Sequence, residues 1–387
     1  MFKKLRLGVI GGALSSAVGR AHLIASCMDH EAEICAGFFS RNSERNIETA
    51  NFLKLNTTHV HDNLDEFILK EKGNLDLVLV LTPTDSHFAD LSKLIEEGFN
   101  VVCEKALALN SNESSALKNQ LNKSNSFLAV IYNYSGYPFV REAREMIKSG
   151  ELGDITHLEV SMPQESFTRL SDEGVVPLPQ SWRLKEAKKI PKVFLDLGTH
   201  VHQMMNFLVN KEVQEVYCTS QNNGHFKNIV DNVDAVIKLK DSINCRISFG
   251  KSSLGNQNGL CFKVYGKSKS IEWTQVEPDK LIVSNQYGEK LILNRSSRYL
   301  KVANSSRYER FKAGHPSGFL EAFANYYQDI FEAFRSFKNK SKDSNQFCFG
   351  IEEAHEELLF LETLAHSSEI GETLKVKEYI KEVQNVA

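Results

Sequence analysis

Asp196 and His200 stand four residues apart in Leu195-Asp-Leu-Gly-Thr-His200, a spacing that sets both side chains on one face of a helix. A carboxylate at that position orients an imidazole and stabilises its charged form, and an imidazole titrating near neutrality moves a proton to or from a reacting hydroxyl. The alternative is a histidine packed at a helix start. A second candidate charge, Lys105, closes Val101-Val-Cys-Glu-Lys105. An ammonium there can face a substrate oxygen that becomes anionic as hydride leaves its carbon; pairing with Glu104 or with solvent is the alternative.

Upstream, Gly8-Val-Ile-Gly11-Gly12-Ala-Leu-Ser-Ser-Ala-Val-Gly19-Arg-Ala-His22 begins in an apolar run. Gly11, Gly12 and Gly19 let backbone approach a phosphate at a helix N-terminus. Extra residues between Gly12 and Gly19 depart from G-x-G-x-x-G, so the motif alone leaves a ligand-free glycine turn open. Its place after the first strand of a βαβ run favours a dinucleotide. Phe39-Ser40-Arg41 ends the second predicted strand, where an NAD site carries an acid for the ribose 2′-hydroxyl. A hydroxyl and a guanidinium suit a 2′-phosphate instead, which favours NADP over NAD. Thr82, Pro83 and His87, in Leu81-Thr-Pro-Thr-Asp-Ser-His87, and Glu104 with Lys105 fall at the carboxyl ends of the next strands. An open α/β sheet exposes its ligand crevice there.

The elements that must hold these residues follow from periodicity. Strands are expected at Arg6–Ile10, Glu33–Ser40, Leu75–Thr82, Asn100–Glu104 and Phe127–Tyr132. Helices fall between them at Ala17–Met28, Ser43–Leu53, Leu64–Glu71, Thr84–Glu97 and Asn112–Asn122, several opened by capping residues. That alternation demands a doubly wound parallel sheet over residues 1–132. Residues 133–387 form a second α/β domain: a helix at Phe139–Ser149, then period-2 stretches at Ile155–Ser161, Val213–Ser220, Val233–Lys240, Ile243–Phe249 and Cys261–Trp273. Turns at Lys240–Ser242 and Gly266–Lys269 predict a large, mostly antiparallel open sheet facing solvent or a second subunit. Two amphipathic helices, Ser317–Phe337 and Ile351–Ser367, flank a polar loop.

Forty-six basic and 49 acidic residues leave a charge of −3, without the excess that nucleic acid or an anionic membrane attracts. No segment has the length of a signal core or a membrane span, and seven cysteines without a C-x-x-C pair fit reduced thiols. A cytoplasmic protein is expected.

In order and spacing, the glycine turn, Thr82-Pro-x-x-x-His87, Glu104-Lys105 and Asp196-x-Gly-x-His200 resemble the Gfo/Idh/MocA oxidoreductases, typified by glucose–fructose oxidoreductase and inositol dehydrogenase. The likeness extends through Asn133-Tyr-Ser-Gly-Tyr137-Pro-Phe-Val-Arg-Glu-Ala-Arg-Glu-Met146 and His315-Pro-Ser-Gly-Phe-Leu-Glu-Ala-Phe-Ala-Asn325, in a branch with a lengthened glycine loop. It implies a Rossmann domain, a second domain whose open sheet builds homodimers or homotetramers, and hydride transfer at a carbinol or ketone of a sugar, cyclitol or related polyol. Lys105 then matches the lysine of a Glu-Lys-Pro motif, Asp196 the family's aspartate, and His200 its acid/base. Three departures bear on the pocket: Ala106 replaces a proline, Lys189-Ile-Pro-Lys192 replaces a glycine-rich turn and adds charge, and Gln203 replaces a supporting aspartate.

Tyr137, Trp182 and Arg183 are candidates for lining a polyol site, with packing or surface roles as the alternative. His59 with His61, and His202, lack a third ligand at a recognisable spacing, so no metal is expected. Cys103 fits a buried strand thiol, and Phe319, Phe323, Tyr326 and Tyr327 a core stripe. Two other readings stay open: a glycosidase that oxidises its sugar transiently with NAD, and a non-catalytic dinucleotide- or sugar-sensing regulator.

Overall fold

Apolar runs bounded by capped helices build the first sheet. In the computed structural model, which describes residues 3–180, 184, 189–341 and 345–386, the chain opens with β1 (Leu5–Gly11), α1 (Ala17–Ala25), β2 (Ala32–Phe38), α2 (Ser43–Phe52), α3 (Leu64–Glu71), β3 (Leu77–Leu81), α4 (Thr84–Glu96), β4 (Val101–Cys103), α5 (Ser111–Lys123) and β5 (Leu128–Val130). Ser16, Asn42, Asn63 and Asn110 each accept a backbone N–H of the first turn of α1, α2, α3 and α5, the groups a helix cannot satisfy internally. The five strands are parallel, in the order β2-β1-β3-β4-β5. A parallel bridge between Gly37 and Val60 marks a sixth position beside β2. With it, the order is that of a doubly wound dinucleotide sheet whose direction reverses between β1 and β3.

The second set comprises α6 (Pro138–Lys148), β6 (Ile155–Pro163), a π-helical turn (Phe194–Gly198), α7 (Thr199–Val209), β7 (Val213–Gln221), β8 (Asn232–Leu239), β9 (Ile243–Gly250), β10 (Cys261–Gly266), β11 (Lys269–Thr274), β12 (Leu281–Asn285) and β13 (Lys290–Leu293). After them come α8 (Phe319–Lys338), α9 (Ile351–Ile370), β14 (Leu374–Lys375) and α10 (Val376–Val386). Nine strands form one sheet, β13-β12-β11-β10-β6-β9-β8-β7-β14, in which β6 and β9 are parallel and the other neighbours antiparallel. Alternate residues of β8 are buried and exposed along its length, the pattern of a sheet with one face packed and one open. The hairpin β12–β13 and helix α10 are additional to the elements expected from periodicity.

Two compact units result, one of residues 1–136 with 319–356, the other of 137–318 with 357–387. A single boundary at residue 132 therefore does not describe the chain. The reason is α8: its buried residues Phe323, Tyr326, Tyr327, Ile330, Phe331 and Phe334 join the core of the parallel sheet, and the Tyr326 hydroxyl donates to Val130 O at 2.7 Å. No helix among the described residues is long and apolar enough to cross a membrane.

Candidate active site

Four loops leave the parallel sheet at one end. Ile10 pairs with Phe38, Gly11 with Leu81, and Val80 with Cys103, so Gly11-Gly12, Ser40-Arg41, Thr82-Pro83 and Glu104-Lys105 all follow the carboxyl ends of adjacent strands. Gly11 and Gly12 turn the chain with φ of 77° and 67°, a region that side chains disfavour. A Cβ on Gly19 would stand 2.5 Å from Gly12 Cα and O, so the third glycine lets α1 close on the turn. Ser16 completes the loop by accepting from Gly19 N at 3.1 Å. The extra residues between Gly12 and Gly19 thus form one loop whose ends touch. It is a cradle that a side chain would fill, facing a helix N-terminus, and its residues fit the pyrophosphate of a dinucleotide.

Around the cradle, Ser40 Oγ accepts from Asn42 N at 3.1 Å, and Arg41 is exposed. Burial raises the Asp90 carboxyl above its usual range, opposed by the hydrogen bond from Thr82 Oγ1 (2.8 Å) and by the charge of Arg41. Pro83 opens α4. His87 does not meet the expectation of a cofactor contact: its ring is buried, with Nδ1 2.8 Å from Ala106 O and Nε2 2.7 Å from Thr82 O. Burial lowers its pKa. The ring lies between the carbonyl of Thr82 and that of Ala106, the residue that follows a Lys105–Ala106 peptide that is cis without a proline, and a neutral imidazole donates to only one of the two.

Glu104 meets a residue to which sequence assigns no role. His22, fully buried on α1, places Nε2 2.9 Å from Glu104 Oε1 and Nδ1 2.6 Å from the Tyr327 hydroxyl. One tautomer satisfies both contacts: Tyr327 donates to Nδ1, and Nε2–H donates to the carboxylate. Burial raises the Tyr327 phenol well above its ordinary value, so it remains a donor. The available signal is the spacing Gly19-x-x-His22, which puts the ring one helical turn beyond the last glycine. Tyr327 is thus more than a core residue, and Phe319, unlike its three companions, is 38% exposed. Cys103 is buried, and burial pushes its thiol well up.

In the other unit, Asp196 lies in the π turn Phe194–Gly198 and His200 in the first turn of α7, 8% exposed. Four residues of helix return a side chain to within about 40° of its starting direction, and π turns concentrate at functional positions. Lys251, a second residue missed by sequence, sets Nζ 2.8 Å from Asp196 Oδ2. The added charge expected at Lys189 is answered by the buried Glu362, 2.9 Å away. Gln203 is buried, and its amide nitrogen makes no hydrogen bond. His202 is stacked on Phe360, and burial pushes it down to about 3; Glu357, at 3.9 Å, is beyond hydrogen-bond reach and does not offset that burial. Tyr137, expected as a substrate contact, is buried against Trp273 because it leads directly into Pro138 at the start of α6. Trp182 and Arg183 lie outside the described residues. His59 and His61 both face Glu71 Oε1, at 2.7 and 2.9 Å. Among the described residues no three His, Cys, Asp or Glu groups are arranged to hold a metal.

Residues 5–132 match the family described as "Oxidoreductase family, NAD-binding Rossmann fold", and residues 140–272 match "GFO/IDH/MocA C-terminal domain". YfiI, an uncharacterized oxidoreductase of Bacillus subtilis, is 28% identical over 335 residues, 84% of each chain. Glucose-6-phosphate 3-dehydrogenase of the same organism is 24% identical over 281 residues, 70% of this chain and 75% of that one. The crystal structure of an inositol dehydrogenase homolog from Azotobacter vinelandii, complexed with NADH and myo-inositol, superposes with a TM-score of 0.87 at 22% identity, covering 96% of this chain and 98% of that one. The chain belongs to the Gfo/Idh/MocA oxidoreductases.

Proposed function

We propose that this oxidoreductase transfers hydride between a nicotinamide cofactor and a carbinol or ketone of a sugar, cyclitol or sugar derivative. The observation that carries the reading is the Asp196–His200 pair, set on a π turn and the first turn of the next helix. The relatives that act on glucose 6-phosphate and bind myo-inositol support the substrate class. When bound, the nicotinamide ring supplies the hydride acceptor or donor. His200 takes the hydroxyl proton during oxidation and returns it during reduction, Asp196 orients the imidazole, and Lys105 faces the oxygen that gains negative charge. Gly11, Gly12 and Gly19 hold the pyrophosphate, Thr82, Pro83 and Glu104 line the crevice beyond it, and Ser40 with Arg41 favours NADP. The open sheet face, with Tyr217 and Val236 exposed, serves self-association; light scattering on a sizing column tests that.

Nicotinamide absorbance, followed against sugars, cyclitols, glycosides and nucleotide sugars with both dinucleotides, tests the reaction. Turnover is expected to fall about 10²- to 10⁴-fold in His200→Asn, and Arg41→Ala is expected to raise KM for NADP while sparing NAD. Equal turnover by His200→Asn and the natural protein overturns the assignment.

A further inference from the structure

Lys251 follows β9 directly, and its backbone is held on both sides. Its N–H donates to Asp231 O at 2.7 Å, and its carbonyl accepts from Phe167 N at 2.8 Å. Asp231 is fixed in turn, its buried carboxylate accepting from Asn223 N at 3.0 Å and Gly224 N at 2.7 Å. From that base the side chain enters a small cleft lined by Phe167, Lys192, Asp196, Ile229 and Val230. Nζ lies 2.8 Å from Asp196 Oδ2 and 3.2 Å from Gln164 Oε1, with the lysine side chain 6% and the aspartate 13% exposed. A solvated lysine–aspartate pair exchanges partners and contributes little, whereas a shielded pair with an anchored backbone is a fixed charge.

The geometry points to Lys251 as a positioning residue for the Asp196–His200 pair: it fixes the carboxylate and offsets its charge, so that His200 faces an ion pair instead of a bare anion. This rests on the proton-transfer role proposed for His200. A bare carboxylate favours the imidazolium, which cannot accept a proton from a hydroxyl; a cation bound to that carboxylate keeps the neutral ring available at lower pH. Other charged groups stand near the pair: Lys192 lines the same cleft four residues before Asp196, His202 shares α7 with His200, Glu357 of α9 lies 3.9 Å from His202, Glu362 of α9 pairs with Lys189, and Asp231 stands behind Lys251 through backbone contacts.

The test is the titration of His200 Cε1–H by NMR in the full chain carrying ¹³C-labelled histidine, with the resonance assigned by its loss in His200→Asn. Lys251→Met is expected to raise the midpoint by about one pH unit, and Lys251→Arg, which keeps the charge, to leave it within about 0.3. Should Lys251→Met not fold, Lys251→Gln drops the charge while keeping a hydrogen-bond donor and is expected to give the same rise. A midpoint unmoved in a folded neutral variant, or moved equally by arginine, overturns the inference. The proposed reaction is read separately: if His200→Asn retains full turnover, that reading fails whatever the titration shows.

Discussion

Gly19 is a position where one methyl group is expected to weaken cofactor binding. Its Cβ would meet Gly12 backbone at 2.5 Å, and neither a turn nor a helix start yields cheaply. Overpacking of this kind costs about 1–3 kcal/mol, so Gly19→Ala is expected to weaken dinucleotide binding roughly ten- to a hundredfold by calorimetry. Gly73, at φ 79° with open space around it, gives the contrast: an alanine there lowers stability by about 1 kcal/mol and leaves binding unchanged. The Tyr327–His22–Glu104 chain makes a different demand. His22→Phe keeps a ring but strands a hydroxyl and a carboxylate, at a cost of about 2–4 kcal/mol in urea unfolding. Adding Tyr327→Phe should recover part of that loss, and strict additivity of the two changes would show that the groups are not coupled. Sequence exposed Asp196 and His200 because helical spacing pairs them locally. It concealed Lys251 and His22 because their partners lie 55 and 82 residues away, and a lone lysine after a strand or a histidine on a helix has no local signature.

At the scale of elements, the βαβ alternation was legible because buried parallel strands are short apolar runs and Asn42, Asn63 and Asn110 mark where helices begin. The hairpin β12–β13 was not, since Leu291 and Ile292 are adjacent apolar residues, both exposed at the sheet edge, and give no alternation. The π turn was also hidden, because hydrophobic spacing does not report the hydrogen-bond period. Helix α8 is the element whose assignment matters most. Residues 1–136 alone lack Phe323, Tyr326, Ile330 and Phe334, which belong to the core of the parallel sheet. That fragment is expected to show no cooperative thermal transition, while the same fragment joined by a flexible linker to residues 319–356 recovers one. A cooperative transition in the shorter piece would show that α8 is dispensable.

For the molecule as a whole, a buried neutral histidine contributes to the response to acid. His202 is pushed down to about 3 by burial. An unfolded histidine binds its proton near pH 6.5. The contribution of such a group is therefore complete above that pH and is lost as pH falls from 6.5 toward 3. For His202 the loss approaches about 1.4 kcal/mol per pH unit. Unfolding free energies measured at pH 7, 6 and 5 should decline accordingly, and His202→Phe should flatten the decline. An unchanged slope would assign the acid sensitivity elsewhere.

The return of residues 319–356 to the first unit imposes an order on biosynthesis. The strands of the parallel sheet emerge from the ribosome early, but the helix that completes their core is made only after the whole intervening unit. At 5–20 residues per second, the 220 residues from Tyr137 to Glu356 take roughly 10–45 s to add. Throughout that interval the nascent sheet is an exposed apolar surface, a natural client for chaperones that ride on translating ribosomes.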